Sequence, residues 1–513
     1  MAIHWPILRR FATRPLRRVA TDDSRDYRGI DMLVASLHMA DRIGAECATE
    51  NVGLLLPTSG AFPIAALGAW SAGKTIVPLN YLLKPDELQY VIDDSGIDTI
   101  YTVGPMLEFL ERTPRVKNLR RLEEINFKAV PAPVVPAGAK PSDLAAIVYT
   151  SGTSGKPKGV MLSHGALAAN VRQGKEHLGL SAKTDCMLGV LPQFHCYGMT
   201  QLTLTPLTHG VRVVYTARFM PKRLIELVRD QRATIMVGIP SMYNAIAALK
   251  SGTPDHLASL RLIVSGSEAL PDAVQQKFKE RYGKHICEGY GMTEMAPATH
   301  CAISEACRPH SVGRPVPGVE QRIVDPKTER ELPVGADGEV RLRGPNMMTG
   351  YYHLPDKTEE VFDERGFYRT GDQGKIDENG YLFITGRIKE MIIVGGENVF
   401  PREIEDVLNR HPKVHASGVI GVSDPMRGEV PVAFVELCEE VGEADFDERE
   451  LVSFCREHLA GYKVPRHIHL IDALPRNPTG KILRRELTGF LPGDSKADRD
   501  NAPEPAPAPA SEG

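Results

Sequence analysis

The sequence predicts an α/β fold: a large N-terminal domain of mixed sheets flanked by helices, then a small α+β C-terminal domain. Three observations carry that expectation. The chain has 513 residues, more than one hydrophobic core usually supports, so a large domain plus at least one smaller one is expected. From about residue 30 to 385, apolar strand-like runs alternate with segments of helical period, as in parallel α/β architecture. From about 390 to 490 the pattern shortens and helix and strand signals mix.

In chain order, residues 1–29 form a basic segment with Arg9, Arg10, Arg14, Arg17 and Arg18 and no acid before Asp22. It lacks the apolar core of a signal peptide and reads as a variable basic tail, with an import presequence or an anionic-membrane contact as the functional alternatives. The most apolar stretch, Val52 to Trp70, is broken by Pro57, Ser59, Gly60 and Pro63. No run approaches the ~18 apolar residues that span a bilayer, so any membrane contact is peripheral. Leu144–Tyr149 reads as a short buried strand. Pro271–Tyr282 reads as a helix, with Val274, Phe278 and Tyr282 at helical spacing. Pro401 suits a first helical position ahead of Ile404, Val407 and Leu408. Asp447 and Glu450 resemble a reciprocal capping pair before Leu451, Cys455 and Leu459. Residues 493–513, ending in a Pro/Ala/acid-rich run, cannot bury a core and are expected to be disordered.

Composition excludes several classes of function. The net charge is −4, with no basic patch interleaved with aromatics, so a nucleic-acid surface is not expected. Eight cysteines are spread without a CxxC pair, which argues against structural zinc or a disulfide framework and fits a reducing cytoplasm.

The most informative segment is Tyr149–Val160, YTSGTSGKPKGV. It sets Thr150, Ser151, Thr153 and Ser154 among Gly152, Gly155 and Gly159, with Lys156 and Lys158 beside them. Glycines let backbone approach an anion, hydroxyls and N–H groups donate to phosphate oxygens, and lysines add charge. A polyphosphate is the natural guest. The segment is not a Walker loop, because Thr150 stands where that loop has its first glycine and Pro157 follows Lys156. A flexible Gly/Ser surface loop would seldom follow a buried strand or carry two lysines.

This segment resembles the signature of the adenylate-forming superfamily, most closely its fatty-acyl-CoA synthetases and acyl-CoA ligases. Further motifs of that family follow in order: EGYGMTE at Glu288–Glu294, YRTGD at Tyr368–Asp372, GRIKE at Gly386–Glu390 and NPTGKILR at Asn477–Arg484. The resemblance implies ATP and Mg2+, with CoA as second substrate and an acyl carrier protein as alternative acceptor. It places Gly289, Tyr290, Gly291 and the turn Ser267, Glu268, Ala269 against adenine. Thr293 is implied to contact phosphate and Glu294 to hold Mg2+, which needs only one or two carboxylates beside phosphate oxygens. Asp372 is implied to accept from the ribose hydroxyls and Arg387 to contact ribose or phosphate.

Lys481 is implied to bridge the attacking carboxylate and the α-phosphate. Losing such a preorganised charge contact costs roughly 3 kcal/mol, about 100-fold in rate. The resemblance further implies an AMP-binding domain over 30–387, a hinge over 388–391 centred on Lys389, and a mobile C-terminal domain over 392–490. Rotation about the hinge would exchange Lys481 for the loop Gly395, Gly396, Glu397, which would admit a pantetheine arm. His195, in PQFHCYG, stands where amino-acid-activating relatives carry an ammonium-pairing Asp, so amino-acid activation is not expected. His195 is instead implied to lie near the reacting carboxylate, with Phe194, Tyr197, Ile239, Ser241 and Met242 around the acyl chain. The expected reaction activates a carboxylic acid, with a medium- or long-chain fatty acid favoured, as acyl-AMP and transfers it to CoA. An aryl-CoA ligase, an acyl-carrier-protein synthetase and an inactive adenylate-binding regulator are the alternatives.

Overall fold

The structure is a computed structural model, described here for residues 2–150, 156–303, 307–438, 441–476 and 482–491. The chain divides into two compact units, Met1–Ile384 and Thr385–Gly513.

In the first unit, short Val/Ile/Leu runs too apolar for an exposed face become the inner strands of two sheets. One sheet has six successive parallel strands, Cys287–Gly291, Leu262–Ser265, Ile235–Gly238, Cys186–Gly189, Arg212–Tyr215 and Arg18–Thr21, with antiparallel strands added at both edges. The strands 186–189, 235–238 and 262–265 are buried at every position, as parallel strands covered on both faces must be. A second sheet pairs Leu144–Thr150, Thr75–Pro78, Asn51–Leu55, Thr99–Thr102 and Asn118–Arg121 in parallel. Its other side is antiparallel: Lys158–Ser163 pairs with Leu144–Thr150, and Gly350–Tyr351 pairs with Lys158–Ser163. A smaller antiparallel sheet contains Glu320–Val324, Gly338–Arg343 and Tyr368–Ile376.

Most local expectations hold. Leu144–Tyr149 lies in the strand Leu144–Thr150, and Asp272–Tyr282 is a helix that buries Val274, Phe278 and Tyr282. Residues 2–29 of the basic segment are a folded part of the first unit and not a loose tail. Its helix His4–Thr13 buries Ile7, Leu8 and Phe11 in the main core, and Arg18–Thr21 joins the larger sheet. Counting arginines hid this, because the apolar residues recur at i, i+3 and i+4 on the opposite face.

The second unit is an α+β layer on a five-stranded sheet dominated by the long hairpin Val414–Asp424 and Gly428–Leu437. The helix Pro401–Leu408 starts at the expected proline and buries Ile404, Val407 and Leu408. The capping expectation at Asp447 is half right. Its carboxylate accepts from the Arg449 N–H at 2.8 Å, but Glu450 turns away to bind Lys413 Nζ at 2.6 Å, so no reciprocal box forms. The contact division falls between Ile384 and Thr385, against the boundary at 387/388 expected from the motifs.

Four histidines of the first unit, buried His4, His164 and His300 and half-buried His195, are each lowered to about 4, in every case chiefly by burial of the ring. A histidine lowered in the folded state stays neutral there while the unfolded chain takes up its proton near pH 6.5. Stability from this source is therefore complete above about pH 6.5 and lost as pH falls toward 4. Denaturant titrations across that range are expected to show stability falling with pH, and replacing His300 with Gln is expected to flatten the slope. An unchanged slope in that variant means His300 is protonated in the folded protein.

Candidate functional site

The strands on either side of the glycine-rich segment, Leu144–Thr150 and Lys158–Ser163, pair antiparallel, with Thr150 opposite Lys158. Ser151, Gly152, Thr153, Ser154 and Gly155 fall outside the described residues. Both flanking lysines lie over aromatic rings, Lys156 Nζ at 5.1 Å from the Tyr90 ring centre and Lys158 Nζ at 4.8 Å from that of Tyr351. Tyr149, at the strand end, donates to Asp94 Oδ2 at 2.6 Å.

The expected site residues Ser267–Ala269, Gly289–Gly291 and Glu294 sit where parallel strands end, the usual ligand position of α/β sheets, whereas Asp372 lies within the antiparallel strand Tyr368–Ile376. The strand Leu262–Ser265 runs into the turn that carries Ser267, Glu268 and Ala269, with Ser267 exposed at a φ of 70°. A Cβ at Gly266 would come 3.0 Å from the Tyr197 ring, so the PQFHCYG segment closes against this turn. The neighbouring strand Cys287–Gly291 presents Gly289, Tyr290 and Gly291, followed by the short turn Thr293–Met295. Tyr290 donates its hydroxyl to Asp372 Oδ2 at 2.5 Å, joining the expected adenine and ribose motifs. Asp372 is 3% exposed, and the Thr370 hydroxyl accepts from its backbone N–H at 3.0 Å.

Glu294 is held from two directions by one stretch of chain. Its carbonyl accepts the Met348 N–H at 2.8 Å, and Oε1 accepts the Tyr351 hydroxyl at 2.8 Å. The fully buried Asn346 donates from Nδ2 to the carbonyls of Met295 at 2.6 Å and Ala298 at 3.2 Å. The same stretch pairs with the phosphate-loop hairpin, Gly350 opposite Met161 and Tyr351 opposite Val160. Residues 346–351 therefore tie Glu294 to Lys158. Burial and the Glu294 charge raise the Tyr351 and Tyr368 hydroxyls above their usual pKa, so both remain donors at any working pH.

His195 precedes the short helix Cys196–Met199, and its Nε2 is buried without a hydrogen-bond partner. Burial lowers its pKa to about 4, so the ring is neutral near pH 7. The Phe194 ring packs at 4.5 Å from that of His195 and edge-on at 4.7 Å from Tyr81. Ile239 and half-buried Met242 lie in the adjoining core, whereas Ser241 is exposed.

In the second unit, Arg387 ends the strand Leu382–Arg387 and Lys389 lies in the turn Ile388–Glu390. Gly395 and Gly396, with φ of 61° and 93°, form the two-residue loop between Ile392–Val394 and Glu397–Val399. Two successive positive φ values are the mark of the turn type that favours glycine at both central positions. Lys481 lies outside the described residues, but the chain on either side of it is anchored. Arg476 and Ile482 form an antiparallel bridge. Arg476 pairs with Glu436, and Arg484 pairs with Glu405 at 2.6 Å and with Glu390 at 2.7 Å. Arg476 and Arg484 of the cationic stretch are thus paired, while Arg485 is exposed.

Sequence reading missed Tyr351, Asn346 and Asp94. Tyr351 had one signal, its place beside Gly350 in an aromatic pair, but nothing local ties it to Glu294 in the sequence.

The chain matches a family model described as AMP-binding enzyme over residues 30–352, and one described as AMP-binding enzyme C-terminal domain over 403–481. A feruloyl-CoA synthase of Amycolatopsis sp is 33% identical over 466 residues, covering 90% of this chain and 93% of that protein. A long-chain-fatty-acid–CoA ligase of Escherichia coli O6:H1 is 32% identical over 494 residues, covering 87% of each. Among solved structures, an anthranilate CoA ligase in complex with anthranoyl-AMP superposes with a TM-score of 0.87 at 29% identity, covering 96% of this chain and 97% of that one.

Replacing Tyr351 with Phe removes the donor to Glu294 while keeping the ring beneath Lys158. Hydrogen bonds to charged groups contribute about 1.5–3 kcal/mol, so ATP binding in the presence of Mg2+ is expected to weaken about tenfold or more. Calorimetric titration with and without Mg2+ checks this: the loss is expected only with the metal, and an equal loss without it removes Glu294 positioning as the cause.

Proposed function

This chain belongs to the AMP-binding enzyme family, and from that premise we propose that it is an AMP-forming acid–CoA ligase whose substrate is an apolar carboxylic acid, foremost a medium- or long-chain fatty acid. AMP-binding CoA ligases use ATP, Mg2+ and CoA. The observation that carries the reading is a pair of linkages: Tyr351 donates to Glu294 and lies beneath Lys158, and Tyr290 donates to Asp372. A nucleotide needs these groups together: a carboxylate for ribose, a cation for phosphate, and a carboxylate for a hard cation.

The donor set fits Mg2+, because one carboxylate oxygen beside incoming phosphate oxygens suits a cation that keeps several waters. Glu294 would hold the ion, whose contribution when bound is to neutralise phosphate charge. The chain's own residues do the positioning. The lysines of the hairpin draw the β- and γ-phosphates, and Asp372, oriented by Tyr290, accepts from the ribose. The carboxylate of the acid then attacks the α-phosphate, pyrophosphate leaves, and a thiolate displaces AMP from the mixed anhydride. No protein nucleophile is required, so positioning and charge supply the catalysis. We assign Lys481 to the first step, and Lys389 and the Gly395–Gly396 loop to the second.

Neutral His195, beside Phe194 and Tyr81, offers an uncharged wall suited to an acyl chain. An aryl acid is the second reading, favoured by the same aromatic edges and by feruloyl- and anthranilate-activating relatives. ATP–pyrophosphate exchange with a panel of fatty and aryl acids, followed by thioester formation with CoA or a carrier protein, tests this reading. Exchange with fatty acids of eight or more carbons is expected, and exchange with aryl acids alone selects the second reading. No exchange with any acid overturns both.

Lys481→Ala is expected to lower adenylation about 100-fold or more while sparing thioester formation from pre-made acyl-AMP. Lys389→Pro is expected to do the reverse, because proline fixes φ at the turn. Equal loss of both half-reactions in either variant removes the corresponding assignment.

A further inference from the structure

The folded N-terminal helix leaves a cationic surface that the adenylation chemistry does not use. A cavity of about 700 Å3 there is lined by Trp5, Arg9, Arg10, Arg14 and Thr208, among others. Arg10 Nε donates to the Thr208 carbonyl at 3.0 Å, and Arg17 donates to the Ala182 carbonyl. Among the described residues, Arg9, Arg10, Arg14 and Arg17 form no ion pair with a carboxylate, whereas Arg18 pairs with Asp26 at 3.1 Å. Burial and the neighbouring charges of Arg14 and Arg17 lower the Arg10 guanidinium below its ordinary value, a sign of crowded like charge. The Thr208 hydroxyl, also at this cavity, is buried without a partner. Crowded guanidiniums facing a concave wall with an unsatisfied hydroxyl are suited to phosphate oxygens.

Apolar exposure accompanies this charge. Trp5 is 37% exposed and Leu16 is 73% exposed, on either side of the arginines in sequence. An indole, an aliphatic tip and several arginines on one short stretch combine the two forces that hold a protein at an anionic bilayer: interfacial burial and attraction to headgroups. A soluble phosphate would use only the second. Among the described residues, no helix is long and apolar enough to cross a membrane, so contact of this kind would be peripheral.

We propose that residues 5–17, with Thr208, form a docking surface for an anionic phospholipid bilayer, with Arg9, Arg10 and Arg14 engaging headgroup phosphates while Trp5 and Leu16 enter the interface. The surface is separate from the nucleotide site, so it stands or falls independently of the reading of the reaction.

The test is co-sedimentation of the full chain with vesicles of phosphatidylcholine alone or with 30% phosphatidylglycerol. Binding is expected only to the anionic vesicles and is expected to fall as salt rises toward 0.5 M. Each arginine near the surface contributes about a factor of five, so R9A/R14A is expected to bind roughly 30-fold more weakly with unchanged pyrophosphate exchange. Trp5 also serves as a reporter, since the other tryptophan, Trp70, is 1% exposed and donates to the Ala145 carbonyl. A blue shift of emission on vesicle addition is expected, and it should disappear in W5F. Leu16→Ser is expected to weaken binding without altering the salt dependence. Absence of vesicle binding, or equal binding by R9A/R14A, overturns the proposal. Calorimetric binding of inorganic phosphate that depends on Arg9 and Arg14, with no vesicle binding, likewise overturns it in favour of a soluble anion.

Discussion

The proposed nucleotide site depends on one clamp: residues 346–351 grip the turn that carries Glu294 and, at the same time, pair with the hairpin strand Lys158–Ser163. Asn346 donates to two carbonyls of the turn, Met348 donates to Glu294 itself, and Tyr351 donates to its carboxylate. Tyr351 also lies beneath Lys158. In the proposed reaction this carboxylate and this ammonium address the same polyphosphate, and errors of about 1 Å in such positions cost large factors in rate. Tying both to one stretch of chain restrains their separation. The buried amides Asn170 and Gln173 add to the grip, bonding Ala298 and Asn346, so the clamp is satisfied from behind as well.

The two units contribute different kinds of order. The first holds Asp372 and Asn346 by burial, closed off from water and hydrogen-bonded. The second places its expected functional residues on turns and short connections, with Gly395 and Gly396 in a tight hairpin loop and Lys389 in a single turn. The arginines that flank residues 477–481 are anchored to Glu436, Glu405 and Glu390.

Much of this was legible in the sequence, for identifiable reasons. Leu144–Thr150 and Asp272–Tyr282 were readable because their apolar spacing is local and unambiguous. The family was readable because its short motifs, among them YTSGTSGKPKGV, EGYGMTE and YRTGD, stand in order along the chain. Tyr351 and Asn346 were not readable, because their partners lie 57 and 51 residues away and nothing local marks a tyrosine or asparagine as a clamp. The helix His4–Thr13 was misread because charge drew attention from Ile7, Leu8 and Phe11 on its other face. At Asp447 the capping pattern was present, but Lys413 competed for Glu450 and won, with a charged partner in reach.

By itself the sequence determined the class of fold, the division into a large and a small unit, and the chemistry of a carboxylate-, lysine- and glycine-bearing nucleotide site, because those are set by composition and short-range spacing. Only the tertiary structure decided that Tyr290 joins Asp372, that one stretch binds both Glu294 and the phosphate hairpin, and that His195 sits neutral with a buried, unpartnered nitrogen. It also decided that the N-terminal arginines face outward from a packed helix. The physical reason is shared: each is a matter of burial and of contacts between distant segments, and neither exists until the strands have paired and the core has closed.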